Sequence, residues 1–158
     1  MGDQRTDIDA PEAWVLVVLP SKDKLLIAVT LMSVVDGDVV CEQARKLAAL
    51  HFRRHEQVVD SRRWQAERWD AITAIDSWVR GHAKPAHPSA PICLETLGAL
   101  VDRVAAAAAH ATWVLCTEEA CGDRTHDAWT ALARLELKYD ELAHQLADGR
   151  RRLPRGEV

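Results

Sequence analysis

The sequence predicts an all-α protein, a bundle of four long helices and one shorter N-terminal helix. Apolar residues recur every three to four positions, no segment alternates as a half-buried strand does, and nothing repeats at a fixed period. The chain has 158 residues, of which 48% are apolar, and this size suits one domain with a substantial core. We expect a flexible N-terminus over residues 1–13, a single helical domain over 14–148 and a basic C-terminal tail over 149–158.

The shorter helix is expected near the start of this domain. Residues 14–19 are apolar, but they are too few to distinguish a helix from a strand before Pro20. Ser21 is a suitable N-cap, so the pattern predicts a helix over about 21–34. The Asp-Gly-Asp segment at 36–38 then predicts a turn.

The second and third predicted helices each carry one apolar stripe. The second helix is expected over about 39–59, with a stripe formed by Val40, Ala44, Leu47, Leu50 and Val58. The third is expected over about 60–81, with a stripe formed by Trp64, Ala71, Ile72, Ile75, Trp78 and Val79. Residues 82–91 contain three prolines and no periodicity, so a loop is expected there.

The fourth helix, expected over about 94–117, is rich in alanine and apolar on two sides. One face is formed by Leu97, Leu100, Val101, Val104, Ala108 and Leu115, and the second by Ala99, Ala106, Ala109 and Trp113. A helix of this kind is expected at the centre of its bundle or against a partner chain. The fifth helix is expected over about 123–148, with Asp123 or Thr125 as its N-cap and Gly149 ending it.

Charge and hydropathy exclude several classes of function. The formal net charge of −4 argues against a nucleic-acid-binding face, which needs a basic surface to neutralise phosphates. The longest early apolar run has six residues, whereas a membrane span needs about 20. The first thirteen residues are polar and acidic, unlike a signal peptide. We therefore expect a cytoplasmic protein without nucleic-acid or membrane partners.

The cysteines do not predict a metal centre. Cys41, Cys93, Cys116 and Cys121 form no CxxC pair, and no histidine lies at a zinc-ligand spacing from them. They are expected to be small buried side chains in a reducing compartment. The sequence also has no phosphate-binding loop and no nucleophile motif, so neither a metal nor a cofactor is expected.

Four charged or polar residues lie on helix faces where packing favours apolar side chains. Arg68 and His51 lie on the stripes of the third and second helices, and Asp102 lies on the alanine-rich face of the fourth with Glu95 two turns earlier. An unpaired buried guanidinium costs several kcal/mol, so Arg68 requires an anion. Three interpretations remain open. Arg68 pairs with Asp102 or Glu95, or Arg68 or Arg103 holds an anionic ligand, or a shifted helix phase leaves these groups in solvent.

His51 has two possible roles, and two tryptophans extend this set. His51 is either a hydrogen-bonded core residue or, beside carboxylates, a general base, because the ordinary pKa of histidine lies near neutral pH. Trp69 and Trp113 lie outside the clearest core stripes. Such tryptophans serve ligand pockets and protein interfaces, and core placement through a tilt of the helix is the alternative.

The segments Arg68-Trp69-Asp70 and 95–104 resemble two signatures of the bacterial domain-of-unknown-function 4254 family, in its actinobacterial branch. Those signatures are an Arg-Asn-Asp triplet and an Asp-Arg-Leu-Ser-Ile stretch. Further segments with matching order and spacing are 19–23, 44–51 and 149–154. The resemblance implies a helical fold and points to Arg68, Asp70, Asp102 and Arg103. Trp69 replaces the family's Asn, and Ala105-Ala106 replace its Ser-Ile.

These observations favour two hypotheses of function. The first is a cofactor-independent enzyme, or a subunit of a heteromeric enzyme, of bacterial biosynthetic metabolism that acts on a polar anionic small molecule by proton transfer, elimination or cyclisation. Its catalytic residues would be His51, Glu95 and Asp102, and its substrate-binding residues Arg68, Trp69, Asp70, Arg103 and Trp113. The second is a non-catalytic helical subunit that forms homo- or hetero-oligomers through its helix faces.

Overall fold

The structure is a computed structural model that describes residues 18–32, 37–56, 59–118 and 120–154. Within these ranges the chain forms five helices and no β-strand, which confirms the predicted all-α class. The helices are α1 (Lys22–Thr30), α2 (Val39–Glu56), α3 (Ser61–His82), α4 (Leu97–Thr117) and α5 (Asp123–Ala147). They pack as a bundle around a core of leucine, isoleucine, valine and alanine side chains.

Side-chain caps explain where α1 and α3 begin. The Ser21 hydroxyl accepts a hydrogen bond from the backbone N–H of Lys24, which confirms the predicted cap of α1. The Asp60 carboxylate accepts from the backbone N–H groups of Arg62 and Arg63 and caps α3 near its predicted start. The predicted end of α1 at residue 34 is wrong. The helix ends at Thr30, two residues before a methionine with φ of 47° interrupts helical geometry.

Three other predicted boundaries and two buried positions need correction. α4 begins at Leu97 rather than 94, because the Thr96 hydroxyl caps the amide of Ala99. The N-cap of α5 is Gly122, with no side-chain cap. α2 ends at Glu56; the predicted stripe residue Val58 lies outside the described residues, as do residues 14–17. Two predicted core residues are only partly buried or exposed, Trp78 and Leu115.

α4 is the central helix of the bundle, as its two apolar sides predicted. It contacts each of the other four helices, whereas α3 and α5 do not contact each other within the described residues. Its length and composition also make it the one described helix that could cross a membrane, but half of that apolar segment is buried inside the bundle. A central core helix has the same character.

The C-terminal segment packs back onto the bundle. Gly149 has φ of 68° and ends α5 with a Schellman motif, in which the amide of Arg150 donates to the carbonyl of Gln145. Arg152 then pairs with Ile92 in an isolated parallel bridge, and the amide of Cys93 donates to the Arg152 carbonyl at 2.8 Å. The tail therefore fixes the loop that leads into α4 rather than extending into solvent, as far as residue 154.

Candidate functional site

Arg68 of α3 and Asp102 of α4 form a bidentate ion pair between the two helices. The Arg68 Nε atom lies 3.0 Å from both carboxylate oxygens of Asp102, and its Nη2 atom lies 2.6 Å from Oδ2. The Asp102 side chain is 4% exposed, whereas that of Arg68 is 32% exposed. The predicted pairing of these residues is confirmed, and Asp102 rather than Glu95 is the partner.

His51 of α2 joins the same carboxylate. Its Nε2 atom lies 2.9 Å from Oδ1 of Asp102, and the imidazole is 13% exposed. A charged carboxylate only accepts hydrogen bonds, so Nε2 carries the proton and donates. The Nδ1 atom has no hydrogen-bond partner within the described residues.

Asp102 stays charged although it is buried. Burial raises its pKa, but the hydrogen bonds from His51 and Arg68 and the charge of Arg68 outweigh burial and leave the pKa below its ordinary value. The Asp102 hydrogen bond in turn raises the pKa of Arg68. The carboxylate is thus a fixed negative charge that links α2, α3 and α4.

The indole of Trp64 is surrounded by three basic groups, which we call the Trp64 shelf: Trp64 with Arg54, Arg68 and His51. The guanidinium carbons of Arg54 and Arg68 lie 4.6 Å and 5.7 Å from the ring centroid. The His51 ring meets Trp64 edge to face, with centroids 5.4 Å apart. Trp64 is held in place because its Nε1 donates to the Leu50 carbonyl at 3.1 Å.

The Trp64 shelf carries more positive than negative charge among the described residues. Asp102 compensates Arg68, but no carboxylate lies within ion-pair distance of Arg54 among the described residues. Both guanidinium groups stand over an aromatic face, which stabilises cations. An anion that binds here meets one uncompensated guanidinium and the free N–H groups of another.

A second aromatic group extends the shelf along α2 and α4. The ring of His55 stacks on that of Trp113, with centroids 5.2 Å apart, and lies 5.5 Å from the ring of His110. Burial and the nearby His110, His51 and Arg54 lower the pKa of His55.

The remaining predicted site residues lie elsewhere. Glu95 accepts hydrogen bonds from Arg103 at 3.1 Å and from Lys138, so it takes no part in the Asp102 group. Trp69 is 66% exposed, and Asp70 is also exposed. Trp113 contacts His55 but not the ion pair. The structure thus brings together His51, Arg68 and Asp102, with Trp113 at their margin.

Sequence reasoning missed Arg54, and it placed Trp64 only in the core. Arg54 follows His51 by three positions, so the helical period of α2 places the two on one face. The roles of His55 and His110 were also undetermined from the sequence. Their contact depends on the packing of α2 against α4, which periodicity within a single helix does not contain.

The described part of the chain contains no cluster of side chains arranged for a metal ion, and its four cysteines differ in exposure. No group of three or more His, Cys, Asp or Glu side chains there is arranged to hold a metal ion. Cys41 and Cys93 are buried, as expected, but Cys116 and Cys121 are exposed, which corrects the prediction for that pair. Burial raises the pKa of Cys41 to about 12, so its thiol stays protonated.

Comparison of the chain with protein-family models, with curated proteins and with solved structures finds no match. The resemblance to the domain-of-unknown-function 4254 family therefore stays a prediction.

Proposed function

We propose that this protein binds a small anionic molecule on the Trp64 shelf and transfers a proton to or from it through His51. The observation that supports the proposal is the position of the His51 ring. One of its nitrogens donates to a charged, anchored carboxylate, and the other has no partner within the described residues. This is the arrangement in which a histidine acts as a general base.

Each member of the group has a distinct part in this chemistry. Asp102 fixes the tautomer of His51 and stabilises the imidazolium that forms when Nδ1 takes a proton. Arg68 holds Asp102 in place through Nε and Nη2, while its Nη1 has no hydrogen-bond partner in the described chain. Arg54 supplies the uncompensated charge that attracts the substrate anion. A substrate with an acidic C–H beside a carbonyl group and a carboxylate or phosphate fits these requirements.

A deuterium-exchange assay tests this function. The protein is incubated in D₂O with a panel of small carboxylates and phosphates that carry a C–H next to a carbonyl group, and deuterium uptake is read by mass spectrometry. We expect wild-type protein to label at least one compound. His51→Gln keeps a hydrogen bond to Asp102 but has no basic nitrogen, so it should lose the labelling.

Two further variants separate binding from proton transfer. Arg54→Ala removes an exposed charge without disturbing the core and should raise the substrate concentration required for labelling. His126→Gln, an exposed position on α5, should label as wild type does. Labelling that survives His51→Gln, or no labelling of any compound, would contradict the proposal.

The non-catalytic alternative is favoured by a different observation. Trp69 is 66% exposed on the outer side of α3, and tryptophan is enriched at the centres of protein interfaces. If the protein works as an oligomeric subunit, wild type elutes as a dimer or larger species in light-scattering chromatography and Trp69→Ala shifts it to the monomer. Thr73→Ala, one turn further along the same helix, is the matched control.

A further inference from the structure

A large cleft lies at the opposite end of α3 from the Trp64 shelf. Its volume is about 1060 Å³, and its walls come from the C-terminal ends of α3 and α5, from residues 18–21 and from the start of the loop after α3. Ligand sites for small molecules run to roughly 300–1000 Å³. The cleft therefore has room for an extended apolar body, rather than only for a compact polar metabolite.

The interior of the cleft is mainly apolar. Trp78 forms part of the α3 wall. On the α5 side the cleft is lined by Ala143 and Ala147, whose small side chains take up little space. Pro20 also lines the cleft, and its carbonyl accepts a hydrogen bond at 2.9 Å from the buried hydroxyl of Tyr139. These contacts hold the wall of residues 18–21 against α5, so the cleft is shaped by the fold itself.

The rim of the cleft carries more positive than negative charge. Arg80 and Lys84 are exposed, and neither has a carboxylate within ion-pair distance among the described residues. Among the described residues of the lining, Asp140 is the single acidic one. Two histidines complete the rim: His82 stacks on Trp78 with centroids 4.7 Å apart, and the Nδ1 of His144 lies 2.7 Å from the Asp140 carbonyl.

We propose that this cleft binds a free amphiphilic acid, with a long acyl or fused-ring body against Trp78, Ala143 and Ala147 and a carboxylate between Arg80 and Lys84. The apolar body removes the walls from water, which supplies most of the affinity. The carboxylate meets two cations that have no other partner in the described chain, which supplies the selectivity for an anion. The site is separate from the Trp64 shelf and does not depend on chemistry at His51.

Isothermal titration calorimetry with three matched probes tests the charge preference. Dodecanoate, dodecan-1-ol and dodecyltrimethylammonium share one chain length and differ in the head group. Below the micellar concentrations of the two ions and the solubility limit of the alcohol, we expect one dodecanoate to bind per chain, the alcohol to bind about tenfold more weakly, and the cation more weakly still. Equal affinity for dodecanoate and the cation overturns the proposed recognition of an anion.

Charge variants identify the head-group contacts. The double variant Arg80→Ala/Lys84→Ala should weaken dodecanoate binding about tenfold or more and leave dodecan-1-ol binding unchanged. The control Arg62→Ala/Arg134→Ala removes the same net charge from exposed positions outside the cleft and should bind dodecanoate as wild type does. An equal loss in both double variants overturns the assignment of the carboxylate to this rim.

A steric variant locates the apolar body. Ala147→Trp fills the cleft from an exposed position of α5 and should abolish binding of all three probes, whereas Ala133→Trp on the same helix should not. Circular dichroism checks that both variants keep the helical fold. Dodecanoate binding that survives Ala147→Trp places the ligand elsewhere. A wild-type chain that binds no probe, but forms a dimer that Ala147→Trp dissociates, assigns the cleft to a second copy and overturns the proposal.

Discussion

The Asp76 carboxylate of α3 caps the first turn of α4, since it accepts a hydrogen bond at 2.7 Å from the backbone N–H of Gly98. The first amides of a helix have no partner within the helix, and here one of them is satisfied by a side chain of the neighbouring helix. A Cβ atom at position 98 would lie 2.5 Å from the Ile72 carbonyl oxygen and 2.8 Å from Oδ1 of Asp76. The close approach of α3 and α4 therefore requires glycine.

Gly98→Ala should destabilise the protein by about 2–4 kcal/mol, because α3 must move away from α4 and the charged hydrogen bond to Asp76 is strained. Urea unfolding followed by circular dichroism measures the change. Gly81→Ala is the control, since a Cβ there contacts nothing within 4 Å. It should leave the stability unchanged or raise it by about 0.5–1 kcal/mol. Equal stabilities of the two variants would contradict this account.

Asp102→Asn should cost about 2–3 kcal/mol at pH 7, because Arg68 and His51 lose their charged acceptor in a buried position. The pKa of Asp102 is lower in the folded state, so its contribution is present at neutral pH and is lost as the pH falls through that lowered value. The difference in the free energy of unfolding between wild type and Asp102→Asn should therefore decrease below about pH 4. Urea titrations at neutral and acid pH measure it, with the exposed Asp70→Asn as control. A stability difference that does not change with pH would contradict the conclusion that the charged Asp102 carboxylate stabilises the folded state.

His55→Gln should make stability less sensitive to mild acid. The pKa of His55 is lowered in the folded protein, so the unfolded chain binds its proton first and the folded state loses stability as the pH falls below about 6.5. Thermal unfolding of wild type and variant measures how stability changes with pH. The range, roughly pH 7.5 to 5, brackets the ordinary pKa of histidine. His126→Gln at an exposed position should retain the wild-type slope; an identical slope in His55→Gln would show that His55 does not titrate abnormally.

Tyr139→Phe should cost about 1–2 kcal/mol, because it leaves the buried Pro20 carbonyl without the hydroxyl that donates to it. The same change should weaken dodecanoate binding, since residues 18–21 form one wall of the cleft. Urea unfolding and calorimetry measure the two effects. A loss of stability with unchanged binding would show that this wall keeps its position without the Tyr139 hydroxyl.

Periodicity predicted the helices and the faces that carry Arg68 and Asp102, because both follow from the angle between residues on one helix. The pairing of these two residues was one of three open interpretations, because it depends on how α3 packs against α4. Glu95 shows where that reasoning stops. It was placed beside Asp102 by helical spacing, but α4 begins only at Leu97, so the spacing does not apply to Glu95. Its side chain instead pairs with Arg103 and Lys138.

The contacts that the sequence did not predict are long-range. Arg152 pairs with Ile92 across an interval of 60 residues, and no local pattern marks either residue for the other. The cleft likewise depends on the distance between the ends of α3 and α5, which do not touch. Met32, which follows α1, has a left-handed backbone conformation that is usual for glycine. Since the residue is not glycine, the sequence does not predict this conformation.

α3 carries one side of both proposed sites, with Arg68 near its start and Arg80 near its end. Twelve residues of helix separate these two positions, roughly 18 Å along the axis. A small rotation of α3 about its own axis would move the guanidinium groups of Arg68 and Arg80 in the same direction. A ligand that turned α3 about its axis at one site would therefore change affinity at the other, and thermodynamic reciprocity would make that influence equal in both directions.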